Sequence, residues 1–337
     1  LKKILIIQTA FLGDVILATP LIEKLHKFYP GVQLDFLVKK GNEQLLQGHP
    51  LLKTLYILDK KRKYRSIWQL IKAFRKQKYD LIVNLHRFGS SGIITALSGA
   101  KNTAGFDKNP FSFTYTYKIK HFIGDKQNYR HEVGRNLEVI KAFTDGSFVM
   151  PKLYPTAEEE QSVAQYKNTK YITISPCSVW FTKQFPSEKW MQLVKLLPKD
   201  ITIYLLGAPS DNQVCEQIKN SDKEHTIINL AGKLPLKQSC ALIHDAVLNY
   251  VNDSGPLHLA SASNAPVCAV FCSTIPEFGF GPLSSFSKIV QVDYNLYCRP
   301  CGLHGYKKCP EGHFKCANDI DVKRLLSVFE EAKLFKQ

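Results

Sequence analysis

The sequence predicts an α/β protein of two successive domains, each built around a parallel sheet. Three observations carry that prediction. The chain has 337 residues, and at about 100–200 residues per domain this length suits two domains. Short, nearly continuous apolar runs alternate with stretches of helical periodicity, as strands buried on both faces and their crossover helices require. The alternation pauses at the proline-bearing stretch MPKLYPTAEEE and then starts again.

In the first half, KKILIIQ (Lys2–Gln8) reads as a buried strand. Val15, Ile16, Leu21, Ile22, Leu25 and Phe28 follow at helical spacing, and Tyr29-Pro30-Gly31 stops that helix. Val32–Val38 and Thr54–Asp59 are the next strands, and Ile67–Lys76 is a basic amphipathic helix. Tyr79–His86 is again a strand, followed by the small-residue helix SSGIITALSGA. The pattern thins between Asp107 and Gln127, and His131–Thr144 reads as a helix. In the second half, Tyr171–Cys177 is a strand and Ser187–Leu197 a helix with Ser187 as its N-cap. Ile201–Asp211 is a strand ending in a glycine turn, and Thr226–Leu234 a strand and loop. Leu236–Asp245 is a helix, Ala246–Asp253 a strand, SGPLHLASASNA a helix and Pro266–Cys272 a strand. The last helix is Ile320–Lys333. These readings place an N-terminal domain at residues 1–152 and a C-terminal domain at 153–318. A closing segment, 319–337, is expected to pack back on the N-terminal domain.

Composition narrows the class of partner. Lys plus Arg number 45 against 29 acids, a formal net charge of +16. That excess suits anionic partners, whether phosphorylated small molecules, an anionic membrane face or nucleic acid, or it is a solvated basic surface that serves solubility. No apolar stretch approaches the ~18 residues of a membrane span. The early run ILII is too short, and lacks the cleavage site, for a signal peptide. The expected location is cytoplasmic, peripheral to a membrane. Nine cysteines in a long chain argue against a disulfide framework.

In open α/β sheets, ligands bind beyond the carboxyl ends of the strands. Four stretches present polar groups there. In TAFLGD (Thr9–Asp14), Gly13 permits a tight turn and Asp14 stands near a helix start, either as a helix-start acid or as a general base. SPCSVWFTKQFP carries hydroxyls, Ser178 among them, and the single cation Lys183, a set that suits phosphate. In NDSGPLHLASA a strand ends in Asp253 and a helix opens at Ser254 and Gly255, with His258 one turn in. Free N–H groups at such a start make an anion site, or Asp253 or Ser254 simply caps the helix. The fourth is CRPCGLHGYKKCPEGHFKC, where Cys298, Cys301, Cys309 and Cys316 are spaced x2, x7 and x6. Four thiols can hold a structural zinc in tetrahedral geometry, or they are a loop of free thiols. The residues leave both open.

Taken in order, GDVILATP, FTKQFPSEKW, LLGAPSD, NLAGKLPL and NDSGPLHLASA resemble the bacterial heptosyltransferases of glycosyltransferase family 9 over nearly the whole chain. The cysteine-rich tail also resembles one found in some members. The resemblance implies a GT-B architecture, two Rossmann-like domains with parallel sheets facing across a cleft. It further implies inverting, metal-independent transfer of a heptose from ADP-heptose to the lipid A-linked inner core of lipopolysaccharide. Asp14 matches the family's general base and Lys183 its phosphate-contacting lysine. Asp253, Ser254, Gly255 and His258 match the diphosphate cradle and cleft residues. Leu230, Ala231 and Gly232 match a segment beside the nucleobase, and Thr9, Gly13, Ser178 and Gly207 are expected to line the substrates. No catalytic cofactor is implied. The basic stretches Lys60–Lys78 and Lys101–Arg130 are expected to meet an anionic lipid-linked saccharide at the inner-membrane surface. Bulky Trp180 and Phe181 before Lys183, and Pro256 at the helix start, depart from the family pattern and leave the sugar open. A UDP- or GDP-linked donor is the alternative enzyme reading. A basic, non-enzymatic nucleic-acid-binding protein is the alternative of another class, and with a transferase no nucleic acid is expected.

Overall fold

The computed structural model describes residues 1–125 and 127–335. Lys126 of the basic stretch and residues 336 and 337 of the closing segment lie outside the described residues. The chain divides into two compact units, Leu1–Tyr154 and Pro155–Gln337.

The first unit runs β1 (Lys3–Ile7), α1 (Leu12–Ile16), α2 (Thr19–Phe28), β2 (Gln33–Lys39), β3 (Thr54–Leu58), α3 (Lys63–Gln77), β4 (Leu81–Asn84), α4 (Gly89–Leu97), β5 (Asn102–Phe106), β6 (Tyr117–Ile119) and α5 (Glu132–Val139). Its sheet has the order β3-β2-β1-β4-β5-β6, with every pairing parallel. Ile4–Ile7 and Leu81–Val83 are fully buried, as unbroken apolar runs sandwiched between helices should be. One helix expected after β1 is two. Pro20, at the start of α2, cannot donate to a continuing helix, and Thr19 Oγ1 instead donates to the Ile16 carbonyl at 2.8 Å. The thin region holds β6, and the unread β5 has the sequence NTAGF, whose small residues give little strand signal.

The second unit runs α6 (Ala157–Val163), β7 (Tyr171–Ser175), α7 (Ser187–Leu196), β8 (Thr202–Leu205), α8 (Asn212–Asn220), β9 (Ile227–Asn229), α9 (Leu236–Asp245), β10 (Asn249–Asn252), α10 (Gly255–Ala262), β11 (Val267–Phe271), β12 (Ser287–Gln291), α11 (Lys315–Asn318) and α12 (Val322–Phe335). Its parallel sheet has the order β12-β11-β10-β7-β8-β9. Pro186, not Ser187, occupies the N-cap of α7, and the Ser187 hydroxyl turns to the Glu188 carboxylate. Helix α12, expected to reach back to the first domain, lays Leu325, Val328, Phe329 and Ala332 into the core of the second unit beside Trp190 and Val194. Its apolar stripe repeats at helical spacing, and α7 and β12 supply the surface it covers.

In each sheet the strand order reverses beside its first strand. In the first unit the reversal lies between β1 and β4, in the second between β7 and β10. These are topological switch points, where the loops beyond the two strands part and leave a crevice.

Candidate functional site

Thr9 follows β1 and His86 follows β4, so the two flank the first switch point. Both are buried, and Thr9 Oγ1 and His86 Nδ1 share a hydrogen bond at 2.8 Å. Burial, then Lys60, Arg87 and Lys39 in that order, lower the His86 pKa to about 4, so the ring is neutral near pH 7. Lys60 Nζ donates to the Thr9 carbonyl at 3.1 Å. Gly13 lies in the short helix α1, its carbonyl accepting from Leu17. Asp14 sits one residue further on, half-buried, and accepts from the Phe11 N–H at 3.1 Å. Loss of solvent is the larger cause that raises the Asp14 pKa to about 6, and the negative charge of Glu132 adds to it. The Phe11 hydrogen bond and Lys39 work against that rise. Glu132 is itself held by Arg135 in a buried ion pair of 2.5 Å. A carboxylate with its pKa near 6 is ionised at neutral pH and still basic enough to take a proton.

Lys183 follows β7 and Asp253 follows β10, so they flank the second switch point. Lys183 Nζ and Asp253 Oδ2 are 2.7 Å apart, both side chains largely buried. Asp253 Oδ2 also accepts from Thr274 Oγ1 at 2.6 Å. An ammonium has three donors, so this pairing leaves Lys183 the capacity to bind a further anion. Ser254 is the N-cap of α10 in an extended conformation, and the helix opens with Gly255 and Pro256. The proline takes a place where an N–H has no helical partner. His258 is buried in α10, edge-on to Phe280. Ser178 lies in the loop beyond β7, where its carbonyl accepts from Gln184. At the ends of β8 and β9, the Gly232 N–H donates to the Gly207 carbonyl at 2.8 Å. Gly232 has φ +74°, and a Cβ there would lie 2.9 Å from Pro209 Cα. Leu230 and Ala231 beside it are buried. All the second-unit residues singled out in the sequence, apart from the cysteines, therefore stand on or next to the carboxyl edge of the sheet.

The four clustered cysteines line one cavity of about 270 Å³. Burial raises the Cys316 pKa to about 12, and burial with the neighbouring cysteines raises Cys301 as well, so both are thiols. Cys301 Sγ donates to the Cys298 carbonyl. Among the described residues no group of three or more His, Cys, Asp or Glu side chains could hold a metal ion. The tetrahedral zinc reading therefore finds no support.

The family model described as glycosyltransferase family 9 (heptosyltransferase) matches residues 67–309. The chain belongs to glycosyltransferase family 9. As a family 9 member it is a glycosyltransferase, which sets aside the non-enzymatic nucleic-acid-binding reading. It is similar to lipopolysaccharide heptosyltransferase 1 of Campylobacter coli, 28% identical over 311 residues that cover 86% of this chain and 89% of that one. Its fold is similar to that of ADP-heptose LPS heptosyltransferase II of E. coli, with a TM-score of 0.81, 20% identity and 99% coverage of both chains. It is similar as well to the glycosyltransferase family 9 structure from Veillonella parvula, with a TM-score of 0.84, 22% identity and coverage of 99% and 97%. The fold is thus the family's GT-B type, with two Rossmann-like domains. Among the described residues of this family 9 enzyme, no helix is long and apolar enough to cross a membrane.

Sequence reading missed Lys39 and Glu132 beside Asp14, and missed His86 and the contact of Lys60 beside Thr9. His86 carried a signal, since it ends the run YDLIVNLH at a strand's carboxyl end. The other three reach the site from β2, the β3–α3 loop and α5, which no local pattern could join.

Proposed function

We propose that this family 9 enzyme transfers a heptose from ADP-heptose to the lipid A-linked inner core of lipopolysaccharide, with inversion and with Asp14 as general base. The observation that carries the reading is the Asp14 carboxylate, its pKa near 6, at the first switch point. In the reaction the acceptor hydroxyl attacks the anomeric carbon, the bond from that carbon to the diphosphate oxygen breaks, and Asp14 takes the hydroxyl proton. Negative charge grows on the departing ADP, and Lys183 with the start of α10 at Ser254 and Gly255 is the group suited to receive it. The loops at Gly207 and Leu230–Gly232 are assigned to the nucleoside.

The acceptor and the membrane fall to the first unit. No acid stands between Asp59 and Asp80, and α3 turns Arg65, Lys72, Arg75 and Lys76 outward with Tyr64 and Trp68. This supports a cytoplasmic enzyme resting on the anionic inner-membrane surface. Asp14→Asn tests the mechanism: turnover should fall about 100-fold to 10,000-fold, the usual worth of a general base, with ADP affinity kept. Lost ADP binding with substantial residual turnover would rule out the base role.

A further inference from the structure

We infer that the cysteine-rich loop is a clamp that positions the Lys183–Asp253 pair, with Thr182, Arg299 and the Tyr306 backbone as its fastenings. The inference rests on the proposed donor-diphosphate role of Lys183.

The loop grips both sides of the pair. On the lysine side, Thr182 is almost wholly buried. Its N–H donates to the Tyr306 carbonyl at 3.1 Å, and its Oγ1 accepts from the Tyr306 N–H at 2.7 Å. Ser273 Oγ donates to the same Thr182 hydroxyl at 2.9 Å. Gly305, at φ +75°, packs so closely that an added Cβ would lie 2.9 Å from Thr182 Oγ1 and 3.0 Å from Lys183 Cγ. The stem of Lys183 is thus seated against the loop. On the aspartate side, Arg299 donates to the Thr274 carbonyl at 2.7 Å and to the Cys272 carbonyl at 2.7 Å. Thr274 is the residue whose hydroxyl donates to Asp253. The Cys301 N–H closes the frame on the Ser273 carbonyl at 2.8 Å.

One loop therefore ties the segment carrying Lys183 to the segment that orients Asp253. Arg299 fits the task because its planar fork reaches several carbonyls at once, which a lysine cannot do. The cysteines sit around the cavity beneath these fastenings. Their place in the molecule is that of the clamp's packing, and Thr182 and Arg299 are positioning residues.

The test is a double-mutant cycle on the full chain, read by ADP affinity and by turnover, with circular dichroism to confirm folding. Lys183→Ala should weaken both. Thr182→Val removes the hydroxyl at nearly constant shape and should cost turnover about 100-fold, the scale of a small misplacement of a reacting group. Thr182→Ser should restore most of that loss. In the Lys183→Ala background, Thr182→Val should cost almost nothing more, because its effect passes through the lysine. Arg299→Lys is the second variant should Thr182→Val fail to fold, with the same non-additivity expected. If Lys183→Ala is harmful but the second substitution costs as much in its background as in the native chain, the clamp is overturned alone. If Lys183→Ala leaves ADP affinity and turnover intact, the donor reading falls and the clamp with it.

Discussion

Asp14 feels two opposed sets of neighbours, and the balance decides its chemistry. Loss of solvent and Glu132 favour the protonated form, whereas the Phe11 N–H and Lys39 favour the carboxylate. The general base proposed for Asp14 works only when unprotonated, so kcat/KM should fall as pH drops through about 6. Glu132→Gln removes one of the two raising influences and leaves Arg135 in place, so the acidic limb should move to lower pH. Desolvation is the larger cause, so the displacement should stay below about one pH unit. A pH profile of the two enzymes checks this, and an unmoved or raised limb would show that Asp14 does not sense Glu132. His86 titrates near pH 4, far below that limb, so the two groups are separable in the same profile.

Helix α3 shows how one element serves two surfaces. Ile67, Leu70, Ile71 and Phe74 fall on one stripe and are buried against the sheet. The opposite stripe leaves Tyr64 84% and Trp68 58% exposed among cations, more aromatic surface than solubility alone calls for. Cations near an anionic membrane contribute about 1 kcal/mol each, and aromatic rings settle at the headgroup level. Reversing Lys72, Arg75 and Lys76 to Glu should therefore weaken partitioning onto phosphatidylglycerol vesicles by roughly 100-fold or more, as measured by co-sedimentation. Neutral phosphatidylcholine vesicles should bind neither protein well, and equal binding to both lipids would exclude an electrostatic dock. Trp68→Ala should weaken binding to the anionic vesicles without changing its steep salt dependence.

At the scale of the whole molecule, each of the two Rossmann-like units carries its polar cluster at its own switch point, one around Asp14 and one around Lys183 and Asp253. A ligand held only by the folded protein raises its stability by about 2.7 kcal/mol at 100 times the dissociation constant. A thermal-shift series should show that gain for ADP and not for UDP or GDP, and a preference for either of the latter would change the donor. Much of this organisation was legible in the chain alone. Continuous apolar runs such as ILII and LIV announce strands buried on both faces, and the helices between them force parallel pairing. Helix α9 matches its reading at both ends, because Pro235 opens it and its apolar spacing is regular. Asp14, Lys183 and the Asp253–Gly255 stretch were visible as polar breaks at strand ends. Strands β5 and β12 were not: NTAGF is made of small residues with little strand signal, and β12 lies at a sheet edge, where little apolar signal is needed. What the sequence determined was the two α/β units and the residues at their carboxyl edges, because periodicity and turn chemistry are local. Only the tertiary structure decided the partnerships: Thr9 with His86 across 77 residues of chain, Glu132 beside Asp14, and Arg299 on the Thr274 carbonyl. Those contacts depend on strand order, and strand order is settled by how whole sheets bury their faces, which no short window of sequence contains.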